Sequence, residues 1–128
     1  MAHLPGPASA VRRLVPAVDE TYALIRDTVL EAGPADRSLI ELCYRYLAGD
    51  AAAMDFTRYQ GRERAALEWA DAIAYDSDRA DDALWGRLHT LFSEPELVDL
   101  GCAIGFELGQ QHWRRTVGLP TREERSPV

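Results

Sequence analysis

Lysine is absent from this 128-residue chain, and all fourteen basic residues are arginine. We read that as codon bias in a GC-rich genome, not as a functional choice. Positive charge is scarce as a whole: 21 acidic residues face 14 basic ones, a net charge of −7. Nucleic acid is repelled by such an average field unless a local basic patch overturns it. The densest cluster, Arg114 and Arg115 with Arg122 and Arg125 downstream, lies beside Glu123 and Glu124 and is too small to do so. No window approaches the roughly 18 consecutive apolar residues that a membrane span needs. The opening "MAHLPGPASAVRRLVPAV" has no uninterrupted apolar core of the kind a signal peptide requires. Cysteine is limited to Cys43 and Cys102, in neither a CxxC nor a zinc spacing. Two isolated, apolar-flanked cysteines suit a reducing cytoplasm better than a disulfide framework. The three histidines form no HxH or HExxH pattern, so no metal centre is expected. There is no Gly-rich phosphate loop and no GxSxG elbow, and the sequence calls for no cofactor.

What is present is a helical pattern. Nearly half the residues are apolar, and the length fits a single domain over 1–128. Residues 1–9, with Pro5, Gly6 and Pro7, read as a flexible arm, and a short turn from Ala10 to Leu14 is stopped by Pro16. A first helix is expected from Ala17 to Ala32, with Val18, Tyr22, Ile25 and Val29 as its inward stripe. Gly33 should supply its left-handed cap before Pro34. A second helix from Arg37 to Ala48 takes Asp36 as N-cap. Residues 51–61 read as a turn of helix and then a loop. A third helix spans Arg62 to Tyr75, with Ala66, Trp69, Ala70 and Ile73 inward, and a fourth spans Asp81 to Phe92, with Leu84, Leu88 and Leu91 inward. Ser93-Glu94-Pro95-Glu96 is a capping box that opens a fifth helix running to Val117, roughly 35 Å long at 1.5 Å per residue. From Leu97 to Phe106 that helix is apolar on nearly every side, which predicts burial among neighbours. Gly101 and Gly105 would admit a close neighbour, and 121–128 reads as a tail. The expectation is all-α: a small bundle of about five helices with a long buried C-terminal one.

Candidate chemistry is thin. Cys43 shares a face with Leu39, Ile40 and Leu47, so it reads as a core thiol; a reactive Cys43 is the alternative. Cys102 reads as core even more strongly. Glu41 projects about 160° away from the Cys43 face on a helix turning 100° per residue. It is a solvated glutamate, or a proton-handling carboxylate if another subunit or a pocket covers it. His112 stands in "GQQHWRRTVGLP" with Gln110, Gln111 and Trp113, a polar and aromatic patch late in an apolar helix. That patch is either a ligand-binding end or the helix emerging into water. His89 reads as a surface residue.

"GRERAALEWADAIA", a spacer, and "LWGRLHTLFSEPELVDLGCAIGFELGQQHWRRTVGLP" resemble the carboxymuconolactone decarboxylase family, which includes alkylhydroperoxidase D. The likeness covers Arg62 to Pro120 and, more loosely, Ser38 to Leu47. It implies a small helical bundle that assembles as a homo-oligomer, a trimer or hexamer, through the face bearing the active site. It also implies that Glu41 matches the family carboxylate. The redox members carry two cysteines three apart and then a histidine. Counted without gaps, those positions fall here on Ala53, Phe56 and Gln60, and a shortened segment is the other alignment; the dithiol is absent either way. Thioredoxin-like cycling is therefore unsupported. Three functions stay open. One is a small-molecule enzyme or binder with Glu41 as proton acceptor, His112 or Tyr44 as polar partners, and Gln111 and Trp113 around the ligand. The others are a non-catalytic assembly or regulatory protein, and a one-cysteine peroxidase using Cys43.

Overall fold

The computed structural model describes residues 3–4 and 6–120; the tail over 121–128 and positions 1, 2 and 5 of the arm lie outside the described residues. Every regular element among them is helical: α1 (Ala8–Arg13), α2 (Pro16–Asp27), α3 (Val29–Ala32), α4 (Arg37–Leu47), α5 (Ala51–Met54), α6 (Gly61–Tyr75), α7 (Asp82–Leu91) and α8 (Glu94–Val117). Two short 3-10 turns, Phe56–Arg58 and Ser77–Arg79, connect them. The protein is an all-α small helical bundle, and none of its described helices is long and apolar enough to cross a membrane.

Local chemistry sets the helix starts. Asp36, Asp50 and Asp81 each accept a backbone N–H of the first turn, at 2.9 Å in every case. Ser93 accepts from the N–H of Glu96 while the Glu96 carboxylate accepts from the N–H of Ser93, so the capping box closes in both directions. At the far end of α8, Gly118 takes φ 78°, the left-handed turn expected of a C-terminal glycine.

The main core forms where α4 packs on α6 and α8, with α7 behind α6. Leu67, Leu88, Leu100, Ile104 and Cys43 are sealed from solvent there. Tyr46 donates to Asp71 at 2.5 Å and Arg79 to the other oxygen of Asp71 at 2.6 Å, pinning α4 to α6 and the turn beyond it. A smaller core of Ala8, Val11 and Leu119, with Trp113 and Val117 against it, clasps the N-terminal segment to the end of α8. The backbone N–H of His3 donates to the Val117 carbonyl at 2.7 Å.

Four expectations need correction. The arm turns helical at Ala8, and Pro16 starts a helix instead of ending one, because the first helical position needs no N–H donor. The first long helix is broken at Thr28, whose φ of −118° and ψ of −72° separate α2 from α3. Thr28 directs both its N–H and its hydroxyl at the Leu24 carbonyl, at 3.0 and 2.5 Å. Val18 and Val29 are consequently exposed, not inward: α2 packs mainly on its sequence neighbours α1 and α3. Gly33 is extended, with φ −74°, and is there for a different reason: a Cβ would collide with the Asp99 carboxylate. Finally, α8 is covered on one side only. Leu97, Leu100, Ile104, Glu107, Gln111 and Arg114 face inward, whereas Val98 is 66% exposed and Cys102 is exposed as well.

Candidate functional site

The inward stripe of α8 changes character along its length. Positions 97, 100 and 104 carry leucine, leucine and isoleucine; 107, 111 and 114 continue the same face with glutamate, glutamine and arginine. Polar groups so placed must find partners, because a buried polar atom without one costs free energy. Gln111, wholly buried, donates its Nε2 to Oε1 of Glu107 at 3.0 Å and to the Tyr44 carbonyl at 3.3 Å. Its own Oε1 accepts no hydrogen bond among the described residues. Arg114, 2% exposed, reaches the other way and donates to the Tyr22 hydroxyl at 3.3 Å.

Tyr22 stands at the centre of an aromatic cluster beyond Arg114. The guanidinium of Arg12, a residue only 5% exposed, lies 3.6 Å from its ring centroid, a cation stacked on the negative face of an aromatic ring. The ring of Phe106 sits 5.9 Å from it on the opposite helix. These side chains, with Ile25, Gln110 and Trp113, wall a cavity of about 530 Å³ between α1, α2 and α8. The volume is within the range of small-molecule sites. Its chemistry is aromatic and aliphatic wall plus the Arg12 guanidinium, the Gln110 amide and the Thr21 side chain.

The sequence-derived candidates divide. Tyr44 and Gln111 meet across the α4–α8 contact, and Trp113 is a wall of the cavity. Glu41 is half-buried on α4 and does not line that cavity. His112 does not line it either: it is exposed, a further 100° around α8 from Gln111. Cys43 is sealed in the core, and burial pushes its thiol up to about 12. A nucleophilic cysteine needs a thiolate within reach of substrate, so Cys43 loses its place as a catalytic candidate, and with it goes the support for a one-cysteine peroxidase. Cys102, read as core, is instead the exposed thiol, because it faces the uncovered side of α8. Among the described residues no three of His, Cys, Asp and Glu are grouped to hold a metal ion.

Arg12, Tyr22 and Phe106 were not picked out from the sequence as site residues. One signal was legible: Glu107, Gln111 and Arg114 stand at core positions of the α8 stripe. No family model, no curated protein and no solved structure matches the chain.

Proposed function

We propose that the protein binds, and in the fuller reading transforms, a small apolar molecule carrying an acidic or polar group, in the cavity between α1, α2 and α8. The observation that carries this is the Arg12 guanidinium held against Tyr22 within aromatic walls. Such a wall favours a ring or short chain, and the cation favours a carboxylate or another hydrogen-bond acceptor. The order and spacing of the segments over Arg62–Pro120 support a carboxymuconolactone decarboxylase-like bundle without the redox dithiol. That kinship would bring a homo-oligomer, a trimer or hexamer, and the two isolated cysteines favour a cytoplasmic setting. Glu41, which does not line this cavity, would serve as proton acceptor only at a separate pocket formed between subunits.

Binding is tested with benzoate and phenylacetate against benzyl alcohol, read by thermal unfolding and by tryptophan emission. The carboxylates should raise Tm and shift emission through Trp113, with benzyl alcohol weaker. A ligand at a hundredfold excess over its Kd adds about 2.7 kcal/mol. Phe106→Ala, on a half-buried side chain, should fold and lose the response. Absence of any response, or a response unchanged in Phe106→Ala, would overturn the reading.

A further inference from the structure

A helix in a small bundle ordinarily buries one stripe against the core, and most of its stability comes from that packing. α2 does not: none of its twelve residues is buried. Its stripe is Val18, Thr21, Tyr22 and Ile25, at i, i+3, i+4 and i+7, and it faces the cavity. Across the gap stands a second stripe, Phe106, Gln110 and Trp113 of α8, at i, i+4 and i+7. A space of about 530 Å³ separates them, and Val18 is left 50% exposed. Whatever enters the cavity is therefore the packing partner of α2.

α2 is slung between two anchored segments. On its N-terminal side Ala8 and Val11 of α1 pack with Leu119. On its C-terminal side Leu30 packs on the main core, its carbonyl accepts from Arg37, and Asp99 holds the N–H of Ala35. Between anchor and helix the chain leaves helical geometry at Val15, extended at φ −127° and ψ 98°, and again at Thr28. Tyr22 ties α2 to α8: its ring lies 5.9 Å from that of Phe106, and its hydroxyl accepts from Arg114 at 3.3 Å.

We propose that α2 is a lid on the cavity, hinged at Val15 and Thr28 and latched by Tyr22, which swings away from α8 to admit a small apolar acid and is held shut by it. The inference rests on the proposed function and adds how that site opens and closes. A molecule between the two stripes covers Val18 and Ile25 on one side and Phe106 and Trp113 on the other, so it supplies the core that α2 lacks. Opening exposes those surfaces again and releases the molecule. Occupancy and closure are thus linked, each favouring the other.

Amide hydrogen exchange of the full chain, resolved by peptide, tests the lid. In the free protein the amides of α2 should exchange at least about tenfold faster than those of α6, because opening a lid costs less than unfolding the core. Phenylacetate at a hundredfold excess over its Kd should slow α2 by about a hundredfold, since the open lid cannot hold it. Tyr22→Phe keeps the ring, removes the latch bond and should speed α2 by about fivefold, the worth of one hydrogen bond. Exchange of α2 as slow as that of α6 in the free protein, exchange of α2 unmoved while phenylacetate raises Tm, or exchange of α2 unmoved by Tyr22→Phe overturns the lid alone. Phenylacetate that moves neither Tm nor α2 overturns the proposed function, and the lid with it.

Discussion

Arg37 at the start of α4 forms an ion pair with Asp99, a residue of α8 that is 8% exposed. The same carboxylate oxygen accepts the backbone N–H of Ala35 at 2.9 Å, and Arg37 also donates to the carbonyls of Leu30 and Ala35, at 2.6 and 3.0 Å. One carboxylate thus holds the whole α3–α4 connection against α8, and it explains the glycine at position 33.

Asp99→Ala should therefore destabilise the fold by about 2–3 kcal/mol, since it strands a buried N–H and unpairs a half-buried guanidinium. Urea unfolding followed by circular dichroism would read the loss. A change below about 0.5 kcal/mol, the scale of an ordinary surface substitution, would mean the connection is held by something else.

Two glycines should respond with opposite sign to the same change. Gly33→Ala forces a methyl into the Asp99 carboxylate and should cost about 1–3 kcal/mol, the usual cost of overpacking. Gly86→Ala, inside α7 with open space around it, should add about 0.5–1 kcal/mol through helix propensity. Chemical denaturation of the two variants side by side decides the matter.

Cys43 and Cys102 should differ sharply towards iodoacetamide. The exposed Cys102 should label in the native protein, whereas Cys43 should label only on unfolding. Mass spectrometry of the peptides separates them, and rapid native labelling of Cys43 would contradict its burial.

The same burial makes stability fall at alkaline pH. Below the ordinary cysteine value of 9.0 the thiol is neutral in both states and contributes no pH dependence. Above it the unfolded chain ionises while the folded one does not until about 12, so stability should drop by about 1.4 kcal/mol per pH unit between them. Tyr46, pushed up by burial and by its hydrogen bond to Asp71, adds a loss of the same sign from above 10.0. Cys43→Ala should flatten the pH 9–10 portion of the profile, measured by thermal melts across pH; an unchanged slope would refute the assignment.

Leu100→Ala and Ile104→Ala each empty a site sealed from solvent where α8 meets the core, and each should cost about 2–5 kcal/mol. Val98→Ala, on the outer face, should cost far less in the isolated chain. Equilibrium unfolding of the three variants would expose any error in the facing of α8.

How much of the molecule was legible depends on the range of the interaction. Asp36 and the Ser93–Glu96 box mark helix starts because a cap is made within three residues, and both were readable as they stand; Asp81, read as the first residue of its helix, is the cap before it. The inward faces of α4, α6 and α7 followed from periodicity. For α8 periodicity failed: a run apolar on nearly all sides names no outer face, and only packing showed which side is open. The site was half legible for the same reason. Trp113 was a candidate and is a wall of the cavity, whereas the candidates Tyr44 and Gln111 do not line it, and Arg12 and Tyr22 were not candidates, since Tyr22 meets Arg114 across 92 residues of sequence.

By itself the sequence determined an all-α chain, the ends of its capped helices and the absence of a redox dithiol, because these depend on neighbouring residues and on residue type. Only the tertiary structure decided that Thr28 breaks a helix, that Gly33 makes room for Asp99, that Cys102 is exposed, and that Arg12, Tyr22 and Trp113 share one cavity. Each depends on which surfaces meet: the α3–α4 connection against Asp99, α4 and α6 on one side of α8, and α1 and α2 beside its end at the cavity.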